Sequence, residues 1–393
     1  LYTRQQSVLD QVVTVVQENI TGIRVIKALS KTDYEKERFR RVNRELTEVD
    51  RKAGSVSAIT NPAATLVLNL GLTLVVVAGA YRVSAGAVRS GVIVAFLQYF
   101  VMILNAMLGI TKIFVMFSKG QASANRVASV LHAPEDLPLL PAADPIPGAP
   151  HIAFRNVTFS YNGREPDVEN LTFSVGHGQT LGILGATGSG KTTLLLLLLR
   201  LYDPDSGTIL LDGQDIRSIP PEQLRRKFGV VFQNDFVTEG TAADNIRFFR
   251  DISDDTLAQA ADFAQADFLR ERPEGLKTPV QVRGNNLSGG QKQRLLIARA
   301  LAAKPEVLIL DDASSALDYA TDASLRQSLY RNFQDTTTVV VAQRVSSLRH
   351  ADLILVLDAG KIIGAGSHES LMADCETYRH IALTQMGAEK EGF

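Results

Sequence analysis

The chain has 393 residues, with 41 Lys+Arg against 42 Asp+Glu, and 45% of its residues are hydrophobic. That length gives two or three domains with room for a large core, and the balanced charge leaves no global basic excess for a general nucleic-acid binder. The single cysteine, Cys375, excludes an internal disulfide framework and fits a reducing compartment.

The chain opens at Leu1 within a helical pattern and without a signal peptide, which predicts that the N-terminal part of its first domain is missing. Residues 1–61 carry apolar side chains at helical spacing (Val8, Val12, Val15, Val16, Ile20) among many charges, so they read as helices in water. The pattern is interrupted at Gly22–Lys27, and a second helix is expected from about Thr32, with Thr32 as N-cap and Glu35 three residues on. Two charge-free runs follow, 20 residues from Pro62 to Tyr81 and 22 from Ser90 to Thr111. At 1.5 Å per residue they reach about 30 and 33 Å, enough to cross a bilayer. They predict membrane helices over about 62–82 and 90–117, flanked by Arg82, Arg89, Lys112 and Lys119. Gly71, Gly79, Gly86, Gly91 and Gly109 are expected at close helix contacts. The short loop 82–89 makes the pair a hairpin, and the 11 Lys/Arg of residues 1–61 place its outer ends in the cytoplasm. Tyr99, Gln98, Asn69 and Asn105 are polar within these runs, where a transport pathway and interhelical hydrogen bonds explain them equally well.

Six prolines in residues 133–150 predict an extended linker over 132–150. From residue 151 to 393 short apolar strands (181–184, 307–310, 339–341) alternate with helical stretches, the pattern of an α/β domain. The six leucines 194–199 are too few for a membrane span and read as a helix packed on both sides within that domain's core.

The segment Gly185-Ala186-Thr187-Gly188-Ser189-Gly190-Lys191-Thr192, followed by Thr193, lies between the strand 181–184 and the leucine-rich helix. It matches the phosphate-loop pattern in the context that pattern needs. Its glycines let backbone N–H groups converge on phosphates, and the helix N-terminus adds partial positive charge. Lys191 is expected on the β- and γ-phosphates of ATP, and Thr192 on Mg²⁺. Asp311 ends an apolar strand and is the expected acidic partner of that Mg²⁺. The six histidines show no metal-ligand spacing, and His368 in Gly366-Ser367-His368-Glu369 is expected to be structural.

Leu287-Ser288-Gly289-Gly290-Gln291, continued by Lys292-Gln293-Arg294, falls 20 residues ahead of Asp311, with Gln233 before it and Ser315-Ala316-Leu317-Asp318 after it. In this order with the phosphate loop, these segments resemble the ATP-binding-cassette (ABC) transporter family along essentially the whole chain. The resemblance implies an α-helical transmembrane domain, present here only as its C-terminal part (1–131), followed by an α/β phosphate-loop nucleotide-binding domain (151–393). Gly22–Lys27 with Asp33–Phe39 is similar to the second intracellular loop of exporters, whose coupling helix docks on the partner's nucleotide domain. The two apolar runs then correspond to the fifth and sixth membrane helices. It further implies that Tyr161 stacks on adenine and that Gln233 senses Mg²⁺ and the γ-phosphate. The resemblance also implies that Thr192, Gln233 and Asp311 share Mg²⁺, that Ser288 and Gly290 bind the γ-phosphate of ATP held by an opposite subunit, and that Gly289, Gln291 and Asp318 bind nucleotide.

Two positions depart from the family pattern. Where a glutamate normally polarises the attacking water, this chain has Asp312. Its carboxylate is withdrawn by about 1.3 Å, and a misplacement of that order lowers a rate roughly a hundredfold. Where a histidine normally precedes Arg344, the chain has Gln343, which stays neutral near pH 7. Together these imply a pocket that binds ATP and hydrolyses it poorly, while the intact Leu287–Gln291 completes the competent site of a second half-transporter in a heterodimer. A lesser departure puts Val282 where exporters often carry a glutamate. The expectation is a multi-pass subunit of the cytoplasmic membrane that moves amphipathic small molecules, drugs, lipids or peptides outward. The motifs alone also admit an importer of the same architecture, such as one taking up an iron chelate, or an ATP-gated channel-like subunit. The two membrane runs exclude a soluble cassette.

Overall fold

The computed structural model describes residues 2–133, 137–142, 144–233 and 236–390, with the backbone alone for 386–390 and some positions between 3 and 122. The chain divides into two compact units, 1–133 and 134–393.

The first unit is three helices, α1 (Tyr2–Ala28), α2 (Thr32–Ser84) and α3 (Ser90–Leu131). α1 and α2 bury Val8, Val15, Val49 and Ala53, and Arg38 pairs with Glu18 at 2.6 Å. The expected interruption at Gly22–Lys27 is not there. A helical glycine costs only about 1 kcal/mol, and α1 continues to Ala28. The chain turns instead at residues 29–31, with Ser30 at φ +53° and the Lys31 N–H donating to the Ile26 carbonyl at 2.9 Å. Thr32 is therefore the first helical residue, while Lys31 holds the N-cap position without a side-chain capping bond. Pro62 does not start a helix either, because it lies inside the 53-residue α2. The charged and apolar halves form one rod.

Thr65–Ser84 is long and apolar enough to span a membrane, and none of it is buried. In α3 the corresponding apolar stretch among the described residues is Ser90–Ile103, and the helix itself runs past 117 to Leu131. Gly79 packs on Ile93 and Gly71 on Phe100, so these two glycines do bring helices together. Gly86 and Gly91 have no neighbour within 4 Å of a built Cβ, and Gly86 instead turns the chain at φ +69°. The surroundings of Gly109 lie outside the described residues.

The second unit is α/β. Its elements, in order, are β1 (Ile152–Phe159), β2 (Val168–Val175), β3 (Thr180–Gly185), α4 (Lys191–Leu198), β4 (Ser206–Leu211), β5 (Gln214–Asp215), α5 (Pro221–Arg226), β6 (Phe228–Val231), β7 (Gly240–Thr241) and α6 (Ala242–Arg247). Then come α7 (Asp254–Phe263), β8 (Pro279–Val280), α8 (Gly289–Leu301), β9 (Val307–Asp311), α9 (Tyr319–Asn332), β10 (Thr337–Val341), α10 (Val345–Leu348), β11 (Leu353–Asp358), β12 (Lys361–Gly366), α11 (His368–Asp374) and α12 (Glu376–Lys390). Among the described residues a six-stranded sheet has the order β12-β11-β3-β10-β9-β6, with its inner pairings parallel. An antiparallel sheet, β2-β1-β4-β5, lies beside it in the same unit. The inner strands are apolar on both faces, as parallel strands covered on both sides require. Leu194, Leu195, Leu197 and Leu198 of α4 are fully buried in a core with Leu181, Ile183 and Val339. Each contributes about 2 kcal/mol of burial, so the leucine run is a core helix.

The proline-rich segment, expected to be an extended linker, is hydrogen-bonded to this unit. The Leu140 N–H donates to the Arg217 carbonyl and the Ile146 N–H to the Asp212 carbonyl, both at 2.9 Å. Arg200, fully buried, donates to the Pro138 carbonyl at 2.6 Å and to Asp203 at 3.1 Å. Truncating such a buried, paired cation costs about 3 kcal/mol or more. Arg200→Ala is therefore expected to make protease cleavage within 137–150 of the full chain roughly tenfold faster or more. An unchanged cleavage rate would show that Arg200 does not hold the segment.

Candidate nucleotide site

The parallel strands end side by side, and their carboxyl ends carry the polar residues. Val341, the last residue of β10, pairs with both Asp311 of β9 and Ile183 of β3. Gln233 follows β6 and Gln343 follows β10. Ligands of open parallel sheets bind at such carboxyl ends.

After β3 the loop 186–190 turns into α4. Gly188 at φ +83° and Gly190 at φ +97° occupy the left-handed region that only glycine enters without strain. A Cβ on Gly190 would also lie 2.8 Å from the Val168 side chain. The Ser189 hydroxyl is buried in the loop without a hydrogen-bond partner. The Lys191 ammonium folds back over the loop, donating to the carbonyls of Gly185 at 2.8 Å and Ala186 at 2.7 Å. Burial pulls Lys191 below its ordinary pKa, against the opposing charges of Asp311 and Asp312. Burial likewise raises the Asp311 carboxyl, helped by Asp312 and opposed by Lys191 and the Gln233 backbone amide. A phosphate beside Lys191 and a divalent cation beside Asp311 would each favour the charged form that burial disfavours.

These groups open on a cleft of about 220 Å³ that brings together Thr187, Gly188, Gly190, Lys191, Thr192, Thr193, Gln233, Asp311, Asp312 and Gln343. Gly185, Ala186 and Ser189 do not line this cleft, and the first two meet it only through their carbonyls on Lys191. Asp167, between β1 and β2, also lines the cleft. No local pattern announces it, although its side chain accepts the Tyr161 N–H at 2.9 Å and so ties down that loop. The glycine cradle, the unpartnered Ser189 hydroxyl and the oxygen donors Thr192, Gln233 and Asp311 fit a nucleotide phosphate with Mg²⁺.

Asp312 follows β9 at φ +51°, a conformation Asp tolerates better than most residues. Its N–H donates to the Val341 carbonyl at 2.9 Å. One carboxylate oxygen accepts from the Gln343 amide at 3.2 Å and from the Gln233 amide at 3.4 Å. The two departures seen in the sequence are thus bonded to each other. Gln385 of α12 braces the segment further, accepting the Val345 N–H at 2.7 Å and donating to the Gln343 carbonyl at 2.9 Å.

The remaining expected residues lie outside this cleft. Tyr161 is 43% exposed, with its ring edge-on to Phe159 and Tyr202 and its hydroxyl 3.4 Å from Thr193 on α4. Ser288 and Gln291 cap α8 reciprocally: the Ser288 hydroxyl accepts the Gln291 N–H at 3.2 Å, and the Gln291 side chain accepts the Ser288 N–H at 3.1 Å. Gly289, exposed, and Gly290, half-buried, begin the first turn of that helix. Asp318 caps α9, accepting the Thr321 N–H at 2.9 Å and its hydroxyl at 2.8 Å. Those bonds hold its carboxyl below the ordinary range and occupy the side chain that the sequence assigned to nucleotide.

Comparison with known proteins agrees with this arrangement. Residues 168–315 match the ABC transporter family, and residues 1–107 match the ABC transporter transmembrane region. An ABC transporter ATP-binding protein of Mycobacterium tuberculosis is 37% identical over 395 residues, covering 98% of this chain and 67% of that protein. An ATP-dependent lipid A-core flippase of Syntrophus aciditrophicus is 33% identical over 393 residues, 99% of this chain and 65% of its own. The solved structure of a bacterial Atm1-family ABC exporter with ATP bound superimposes with a TM-score of 0.82 at 29% identity, over 97% of this chain and 68% of that one. The chain therefore spans about two thirds of the length of these relatives. A helical transmembrane region followed by an ATPase domain that drives transport, matched along nearly every residue, places this chain in the ABC transporter family, among half-transporters of the exporter type.

Proposed function

We propose that this chain is the degenerate-site subunit of a heterodimeric ABC exporter, binding ATP and Mg²⁺ at its own phosphate loop and turning over mainly at its partner's. The observation that carries this reading is the Asp312 carboxylate held between the amides of Gln343 and Gln233. Mg²⁺, when bound, neutralises the charge on the β- and γ-phosphates of ATP. Lys191 exchanges the carbonyls of Gly185 and Ala186 for phosphate oxygens, and the N–H groups of the glycine loop converge on the same charge. Asp312, one methylene short and occupied by two amides, is poorly placed to draw a proton from water. Gln343 offers a neutral hydrogen bond where a histidine would offer a protonatable one. Outside the cleft, the first turn of α8 offers the N–H groups of Gly289 and Gly290 to an anion on another chain.

In this reading residues 1–131 are the C-terminal part of the membrane domain, with spans over about 62–82 and 90–117. Residues 132–150 connect it to the nucleotide domain, 151–393. Amphipathic substrates, lipids among them, fit the similarity to a lipid A-core flippase. Purification of the tagged chain from native membranes tests the assembly. The expected result is one co-purifying half-transporter with glutamate and histidine at the positions of Asp312 and Gln343. A dimer of two identical copies would overturn the proposal.

A further inference from the structure

Away from the nucleotide cleft, at the amino ends of β3 and β10, three residues distant in sequence converge. His151 immediately precedes β1, His177 lies in the β2–β3 turn and Asp212 in the β4–β5 turn. One ligand atom from each lies within 4.8 Å of the others. The Nε2 of His177 is 2.9 Å, and that of His151 3.9 Å, from Asp212 Oδ1.

One arrangement of the hydrogen bonds around His151 leaves its Nε2 bare. The Thr337 hydroxyl accepts the Gly178 N–H at 3.1 Å and donates to the Gly176 carbonyl at 3.3 Å. Its remaining lone pair is left to accept from His151 Nδ1–H, at 2.6 Å. Nε2 then carries a free lone pair, and it is buried without a partner on a residue only 1% exposed. Asp212 Oδ1, also buried, meets only the His177 Nε2 at 2.9 Å. A buried ring nitrogen left without a partner 3.9 Å from a carboxylate oxygen is costly unless a cation joins them.

We propose that His151, His177 and Asp212 form a binding site for a divalent cation of the zinc class. Two imidazole nitrogens and one carboxylate oxygen suit Zn²⁺ and its neighbours, whereas Mg²⁺ and Ca²⁺ prefer all-oxygen shells. The Nδ1–H of His151 to a hydroxyl is the outer-shell bond that orients a ligating histidine. The rings of His151 and His177 are stacked at 4.0 Å and 11°, so their lone pairs run parallel. Convergence on a metal needs one ring to turn. That ring is His177, whose side chain is 62% exposed, while His151 is locked. Water supplies the fourth position. Lys227, 4.0 Å from Asp212, is held at 2.5 Å by Glu306, so the cluster with neutral imidazoles has one net negative charge. A bound cation would fasten the start of β1 to two turns, and with them the 137–150 segment that hydrogen-bonds Asp212 through Ile146.

The test uses the full chain in nanodiscs, purified without a polyhistidine tag, stripped with chelator and free of ATP and Mg²⁺. Zn²⁺ is titrated against a chromophoric chelator, and Co²⁺ is added in parallel to read coordination from its visible spectrum. The expected result is one equivalent of tightly bound Zn²⁺, a tetrahedral Co²⁺ band and a rise in Tm with Zn²⁺. His177→Ala, at an exposed position that leaves the fold intact, should weaken binding about a hundredfold and remove the band and the Tm rise. Thr337→Val should weaken it about tenfold through the lost orienting bond. No stoichiometric Zn²⁺ in the wild type, or binding that His177→Ala leaves unchanged, would overturn the proposal.

Discussion

Changing Asp312 to Glu and Gln343 to His together is expected to raise ATP turnover at this chain's own phosphate loop about a hundredfold or more. The extra methylene carries the carboxylate about 1.3 Å toward the attacking water, and the imidazole supplies a group that can be protonated. The single Asp312→Glu change should gain much less. Gln343 and Gln233 both donate to the Asp312 carboxylate, and they would still hold the longer one aside. Residues bonded to each other do not act additively, so the double variant should exceed the product of the singles. The φ of +51° at position 312 adds a strain of about 1 kcal/mol for a longer side chain, which lowers stability slightly without cancelling the gain. Mg-ATPase assays of the four proteins read this directly, and an additive or null double variant would show that the amide contacts do not restrain the site.

The second large effect lies on the signature helix. A Cβ on Gly290 would stand 3.1 Å from the Ala316 carbonyl. Gly290→Asp therefore adds both crowding and a negative charge at a helix start that meets a phosphate. In the assembled transporter this change is expected to cut ATP turnover at least about a hundredfold, because it disables the competent site. Lys191→Ala, which empties the weak site, should cost no more than about tenfold, or 1.4 kcal/mol of activation free energy. Equal losses from the two variants would mean two equivalent sites.

The nucleotide cleft was legible in the sequence because its requirements are local. The glycines at 188 and 190 satisfy backbone angles, Lys191 and Thr192 follow at fixed offsets, and Asp311 ends an apolar strand. The leucine run was legible because its length is too short for a bilayer. What escaped depends on contacts distant along the chain. Asp312 meets Gln343 across 31 residues and Gln233 across 79, so the two departures, read together in the sequence, are also bonded to each other. Composition predicted an extended linker but not the bonds from Arg200 and to the Asp212 carbonyl that hold it to the cassette. The break in the first helical pair was misplaced because glycine's helix penalty is small, and the turn at residues 29–31 has no such marker. Pro62 marked a change of solvent rather than a helix end. The histidines at 151 and 177 show no ligand spacing because the sheet alone brings them together.

Single-turnover hydrolysis of radiolabelled ATP by the full chain, assembled without a partner in nanodiscs, tests the central claim most directly. The account predicts that ATP is bound and retained through Lys191, with hydrolysis about a hundredfold slower than in the Asp312→Glu, Gln343→His variant. Rapid hydrolysis by the unmodified chain, abolished by Lys191→Ala, would contradict it.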